Sequence, residues 1–119
     1  MSRIKIYHNH KCSNSRQTLA LMREHGHEPE IVLYLDTPPK RQELQDIIQA
    51  TGVSARALMR SKEAIYGELG LDNSDHTEDV WIDAMLAHPV LMNRPIVVTP
   101  KGTRLCRPPE LVLEILPTT

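Results

Sequence analysis

The sequence predicts an α/β protein built on a four-stranded mixed sheet, in the order βαβ, a helical insert, then ββα. Three observations carry this prediction. The first third alternates apolar and charged residues, then shows helix signals, then a second apolar run; the middle has helical spacing; and two β-rich runs flank a turn near the end. At 119 residues we expect one domain, 1–119, with the helical insert at about 40–90.

The first βαβ unit occupies the first third of the chain. Residues 3–8 alternate charged and apolar side chains, which predicts a strand. Three good helix-capping residues follow at 13–15, and we expect a helix over 16–24 that closes at Gly26. Residues 30–35 are rich in Ile, Val and Leu and predict the second strand.

The helical insert is indicated by apolar residues one turn apart. Leu44, Ile47 and Ile48 form a stripe that ends near Gly52. Two short helices and one longer helix should follow, and the residues expected to cap them are Ser54, Ser61 and Thr77. The longer helix should reach about Ala87, with an apolar face formed by Trp81, Ile82, Met85 and Leu86.

The last part of the chain predicts a hairpin and a helix. Residues 95–99 and 103–106 read as two strands joined by a turn at 100–102. Pro108 and Pro109 stand where a final helix would begin, and this helix should run to about residue 116.

Composition excludes several classes of function. The formal net charge is −1, and the chain has no Phe, three Tyr and one Trp, so a nucleic-acid or anionic-membrane surface is not expected. The longest apolar run, 31–35, is too short to span a bilayer. Two cysteines cannot form a disulfide scaffold. We expect a cytoplasmic monomer without a bound cofactor.

Cys12 is the leading candidate for chemistry, because it follows the first strand and opens the first helix. That is where the thioredoxin and glutaredoxin architecture, which has this order of elements, keeps its reactive sulfur. A helix N-terminus lowers a thiol pKa, and a protonated His8 or Lys11 nearby would act in the same direction. The spacing to Ser15 is C-x-x-S, so an outside thiol such as glutathione must release any product bound to Cys12. Ser15 either caps the helix or donates a hydrogen bond to the thiolate, and both are compatible.

Two further features of the sequence involve the cysteines. Cys106 lies in a predicted strand, and we expect a core thiol rather than a resolving partner for Cys12. His8, His10 and Cys12 alternate, as metal ligands on a strand would, but the strand must end near His8 for the helix to start. We therefore expect no metal site.

Three arginines lie at the edges of predicted elements: Arg60, Arg94 and Arg107. Residues near Pro95 should face the end of the sheet that carries Cys12. Guanidinium groups bind tetrahedral oxyanions through two parallel hydrogen bonds, so a cluster of them would hold such a substrate beside the thiolate. Exposed surface arginines are the alternative interpretation.

Several segments together resemble one family, the glutaredoxin-dependent arsenate reductases. The similar segments are Tyr7-His8-Asn9 before Cys12, Tyr34-Leu35-Asp36-Thr37-Pro38-Pro39, Ala57-Leu58-Met59-Arg60, residues 93–100 and residues 102–108. The resemblance implies a thioredoxin-like domain that reduces arsenate to arsenite. Two positions depart from it, since the family usually has Pro at His10 and a small residue at Lys11.

The resemblance also implies roles for individual residues. The family's nucleophile matches Cys12, and its anion-binding arginines match Arg60, Arg94 and Arg107. Its histidine that lowers the thiol pKa matches His8, and its serine that contacts the thiolate matches Ser15. Glutathione would displace the arsenic adduct and glutaredoxin would recycle the mixed disulfide. Pro95 corresponds to the fold's cis-proline beside the cysteine.

Two alternative functions remain open at this stage. The chain could reduce another substrate with glutathione, with Cys12 still the nucleophile. It could also belong with small thioredoxin-like regulators that bind RNA polymerase, which typically carry a C-x-x-C switch. Ser15 in place of a second cysteine disfavours this second alternative.

Overall fold

The computed structural model describes residues 4–73 and 76–117. The strands and α-helices are β1 (Lys5–His8), α1 (Ser13–Glu24), β2 (Glu30–Leu33), α2 (Arg41–Thr51), α3 (Ala64–Glu68), α4 (Glu78–Ala87), β3 (Ile96–Thr99) and β4 (Gly102–Leu105). Segments of 3₁₀ helix lie at Arg56–Leu58, Pro89–Leu91 and Pro109–Glu114. The described residues form two compact units, one of residues 4–37 and 94–117, the other of residues 38–73 and 76–93.

The first unit contains the whole sheet, in the strand order β2-β1-β3-β4. The strands β1 and β2 are parallel, whereas β3 is antiparallel to both β1 and β4. In this register Ile6 of β1 lies opposite Ile31 of β2 and Val97 of β3. The predicted four-stranded mixed sheet is confirmed.

One face of this sheet is packed by α1 and the last 3₁₀ helix. Ile6 and Val97 point from the central strands into a core shared with Met22 of α1 and Val112 of the 3₁₀ helix. All four side chains are fully buried, and α1 also packs directly against the 3₁₀ helix. The core therefore anchors α1, whose first residue follows Cys12, to the centre of the sheet.

The second unit is the helical insert. Leu44, Ile47 and Ile48 are buried along α2, as the stripe predicts. Gly52 ends this helix with a φ of 76°, a left-handed conformation that glycine adopts without steric cost. In α4 the indole of Trp81 is buried and donates a hydrogen bond to the carbonyl of Leu71 at 3.0 Å.

Several predicted boundaries differ from the structure. The helix α1 begins at Ser13, so its N-cap is Cys12 rather than a residue of 13–15. The strand β2 ends at Leu33 rather than residue 35, because the N–H groups of Asp36 and Thr37 donate to the Leu33 carbonyl and form a turn. Arg3, the predicted start of the first strand, lies outside the described residues.

Three helix predictions also need correction. The N-cap of α3 is Glu63 rather than Ser61, so the helix starts later than the capping signal indicated. The final helix is a 3₁₀ helix at Pro109–Glu114. Leu86 of α4 is only partly buried, and Ala84 is buried on that helix instead. No helix in the described ranges is long and apolar enough to cross a membrane.

Candidate active site

Cys12 is held at the start of α1 by a tight turn. Its N–H donates to the carbonyl of Asn9 at 2.9 Å, and its own carbonyl accepts the N–H of Arg16 at 3.0 Å. The backbone is extended at Cys12, with φ −98° and ψ 125°, and the helix proper begins at the next residue. The first turn of α1 contains no acidic residue, so the positive end of the helix dipole is left for the sulfur.

The surroundings of Cys12 favour the thiolate. Burial raises the pKa of the Cys12 thiol, but other groups outweigh it and the pKa is lowered overall. The largest of these is the backbone N–H of Ser15, followed by the Arg94 guanidinium, which contributes both a hydrogen bond and its charge. These groups stabilise negative charge on sulfur, and only the thiolate is a strong nucleophile.

Two arginines from neighbouring strands meet at this cysteine. Arg94 precedes β3 and Arg107 follows β4. Because these two strands are antiparallel, both residues lie at the same end of the sheet. Nη1 of Arg107 lies 4.0 Å from Sγ of Cys12 and donates a hydrogen bond to the Arg94 carbonyl at 3.0 Å. The Arg94–Pro95 and Arg107–Pro108 peptide bonds are both cis. The site thus combines one cysteine of lowered thiol pKa with two guanidinium groups.

Ser15 and His8 form a buried pair beneath this site. Ser15 Oγ lies 2.6 Å from Nδ1 of His8 and accepts the N–H of Asn9 at 3.1 Å. Its hydroxyl is therefore engaged with these two residues, and it is the backbone N–H of Ser15 that stabilises the thiolate.

His8 does not supply the positive charge that the sequence allowed for. Burial lowers its pKa, and the charges of His10, Arg23 and Arg16 lower it further. At neutral pH the imidazole is uncharged, so its contribution to the site passes through the hydrogen bond to Ser15.

Asn9 is a further residue of the site and was not among the site residues predicted from the sequence. Its side-chain Oδ1 accepts the N–H of Lys11 at 2.9 Å, and its backbone bonds to both Cys12 and Ser15. The contact between the Asn9 side chain and the N–H two residues later forms an Asx turn. Asparagine is typical of such turns, so this signal was available in the sequence.

Cys106 has the opposite environment to Cys12. Its side chain is fully buried in the sheet core, and its Sγ contacts only the carbonyl of Arg104, at 3.7 Å, among the hydrogen bonds of the described residues. Burial raises the pKa of this thiol from 9.0 to about 12. Both cysteines are free thiols. The geometry is that of a packed core residue.

Arg60 lies in the second unit, the helical insert. Its N–H donates to the carbonyl of Leu91 at 2.8 Å, and its guanidinium forms an ion pair with Glu63 at 2.5 Å. Across residues 4–73 and 76–117, no group of three His, Cys, Asp or Glu side chains could hold a metal ion.

The fold and the site together define a thioredoxin-like protein with a cysteine of lowered thiol pKa beside a pair of arginines. The sequence profile of the ArsC family matches residues 7–115. The chain belongs to the ArsC family.

Comparison with individual proteins agrees with this assignment. The chain is 58% identical over 117 residues to an arsenate reductase of Escherichia coli K12, covering 98% of this chain and 83% of that protein. It is 53% identical over 114 residues to YfgD, an uncharacterised protein of the same organism, covering 95% and 96% of the two chains. The structure of an arsenate reductase from Vibrio cholerae superposes with a TM-score of 0.92 at 48% identity, covering 95% of this chain and 97% of that chain.

Proposed function

We propose that this protein reduces arsenate to arsenite, with Cys12 as the nucleophile and glutathione and glutaredoxin as the sources of electrons. The observation that carries the proposal is the position of Arg107 and Arg94 around the Cys12 sulfur. Arsenate is a tetrahedral oxyanion, and guanidinium groups beside a thiolate both bind such an anion and offset its repulsion of the sulfur. Membership of the ArsC family and the 58% identical arsenate reductase support the same substrate.

The first step joins substrate and protein. The Cys12 thiolate attacks arsenic, a sulfur–arsenic bond forms, and one arsenate oxygen leaves as water after taking up protons. Arsenic stays pentavalent in this step. Arg94 and Arg107 would hold the remaining oxygens, whose negative charge increases as the nucleophile adds.

The second step is the reduction. The glutathione thiolate attacks the Cys12 sulfur and forms a disulfide bond, while the electron pair of the sulfur–arsenic bond passes to arsenic, which leaves as arsenite. Two thiols supply the two electrons that arsenic gains. Because Cys12-Ser13-Asn14-Ser15 has no second thiol, the mixed disulfide needs an external thiol, and glutaredoxin would restore Cys12.

The remaining residues have supporting roles in this proposal. Ser15 and His8 fix the turn before α1, so that the Ser15 N–H points to the thiolate. Arg60 would be a third anion-binding group, and this role rests on the resemblance of its segment to the family. We further propose that the protein acts in the cytoplasm as a monomer without a bound cofactor.

The proposal is tested by measuring arsenite formation from arsenate in the presence of glutathione and glutaredoxin. The wild-type protein should form arsenite, Cys12→Ser should form none, and the matched Cys106→Ser variant should keep its activity. Absence of arsenite from the folded wild type, with glutaredoxin of verified activity, would rule out the substrate. Activity in Cys12→Ser would rule out the nucleophile.

A further inference from the structure

A cavity of about 170 Å³ opens at the carboxyl ends of the parallel strands β1 and β2. One wall is formed by residues 8–11, the segment that leads from β1 to Cys12. The other wall is formed by Leu33, Leu35 and Asp36, where β2 ends. Crevices outside the carboxyl ends of parallel strands are the usual ligand sites of open α/β sheets.

The walls of this cavity combine three kinds of chemistry. Lys11 contributes an exposed ammonium group and Asp36 an exposed carboxylate. Leu33 and Leu35 are 37% and 46% exposed, so they offer an apolar surface between these charges. A ligand that fits such walls carries both a negative and a positive group on a short aliphatic frame.

The cavity and the arginines flank Cys12 on different sides along the sheet. The strand order is β2-β1-β3-β4, and Cys12 follows β1. Arg94 and Arg107 reach the sulfur from β3 and β4, whereas the cavity lies towards β2. Cys12 itself does not line the cavity, but its neighbour Lys11 does, so a molecule in the cavity lies one residue from the cysteine on the side away from the arginines.

We infer that this cavity binds the thiol co-substrate, a small zwitterionic peptide thiol such as glutathione. Lys11 pairs with one of its carboxylates, Asp36 pairs with its ammonium group, and the two leucines contact its aliphatic part. This inference rests on the proposed function and names the site from which the second thiol attacks.

The bound thiol reacts as a balanced exchange. Its proton passes to solvent, its sulfur forms a bond with Cys12 sulfur, and the sulfur–arsenic bond breaks with its electron pair on arsenic. One disulfide and one trivalent arsenic result. The two electrons that arsenic gains come from the oxidation of two thiol sulfurs, that of Cys12 and that of the peptide thiol, to one disulfide.

The test measures KM for glutathione at saturating arsenate and excess glutaredoxin. Lys11→Met and Asp36→Asn should each raise it about tenfold, the loss expected for one charge-assisted hydrogen bond. KM for arsenate should stay within twofold of the wild-type value. The pH dependence of Cys12 alkylation should be unchanged, because the groups that lower the Cys12 pKa are the backbone N–H groups of Ser15 and Asn14 and the Arg94 guanidinium. Lys101→Met and Glu24→Gln remove comparable exposed charges elsewhere and should match the wild type.

The second arm replaces glutathione and glutaredoxin with excess 2-mercaptoethanol, which has no charged groups and also releases the mixed disulfide by thiol–disulfide exchange. With this thiol both cavity variants should be as active as the wild type. Unchanged KM for glutathione in both variants, or an equal loss with 2-mercaptoethanol, would overturn the inference.

A third experiment measures binding to the cavity independently of the reaction. Binding of S-methylglutathione, which cannot react, is measured by calorimetry on the reduced full-length protein and should be weakened about tenfold by Asp36→Asn. If the wild type forms no arsenite but shows this binding, the substrate assignment fails and the site stands. If the wild type is active but does not bind S-methylglutathione, the site fails and the proposed function stands.

Discussion

Ser15 Oγ lies 2.6 Å from Nδ1 of His8, and both side chains are buried directly below the turn that presents Cys12. The serine at the third position after the cysteine therefore organises the turn with its side chain and the sulfur with its backbone.

Ser15→Ala should destabilise the protein without raising the pKa of Cys12. The change leaves the Asn9 N–H and the His8 imidazole without their shared partner, which costs about 1–3 kcal/mol in the free energy of unfolding. The backbone N–H that stabilises the thiolate is retained. Urea unfolding measures the first effect, and the pH dependence of alkylation measures the second. The control is Ser13→Ala, at an exposed position in the first turn of α1. A clear rise of the Cys12 pKa in Ser15→Ala would contradict this interpretation.

His8 should make the protein sensitive to acid. Its pKa is lowered in the folded state from 6.5, first by burial. Below about pH 6.5 the unfolded chain takes up the proton more readily than the folded chain, so stability falls as pH falls through the folded pKa, by up to about 1.4 kcal/mol per pH unit. His8→Asn should show a shallower loss of stability in acid than the wild type, measured by urea unfolding from pH 7.5 to 5. The control is His25→Asn at an exposed position, and equal slopes in His8→Asn and wild type would disprove the prediction.

The two cysteines should differ sharply towards iodoacetamide. Cys12 has a lowered pKa and should be alkylated in the native protein with a midpoint below 9.0. Cys106 is fully buried with a pKa raised to about 12, so it should react only after unfolding. Mass spectrometry of the native wild type should find one label, Cys12→Ser none and Cys106→Ala one. Similar labelling rates at both cysteines in the native state would show that their environments do not differ in this way.

Removing either site arginine should reduce arsenate turnover, but with different secondary effects. Arg94→Gln and Arg107→Gln should each lower kcat/KM for arsenate by about a hundredfold, the loss expected when a group that binds developing negative charge is removed. Arg94→Gln should also raise the pKa of Cys12, because that thiolate loses a hydrogen bond and a positive charge. Arg23→Gln, which removes a cation paired with Glu28 on the surface, is the control. A control-like kcat/KM in both site variants would show that these arginines do not bind the substrate.

Most elements were predictable because their signals are local. The stripe of Leu44, Ile47 and Ile48 is buried as expected, and Thr77 occupies the N-cap position of α4 as expected, without a side-chain capping hydrogen bond. The start of α1 was misplaced because residues 13–15 are all good caps, and the turn formed by Asn9 and Cys12 decides which residue takes that role. The candidate site is harder to predict, since Arg107 is 95 positions away from the cysteine it approaches.

The order of strands and helices, and with it the cysteine at the start of α1, follows from the amino-acid sequence alone. Capping, turn formation and apolar periodicity act between residues a few positions apart, so they can be read along the chain. Only the folded structure shows that burial lowers the pKa of His8, that the Ser15 backbone N–H and Arg94 lower the pKa of Cys12, and that Arg107 approaches the Cys12 sulfur. Desolvation and the convergence of charges depend on contacts between distant segments, which no local pattern in the sequence encodes.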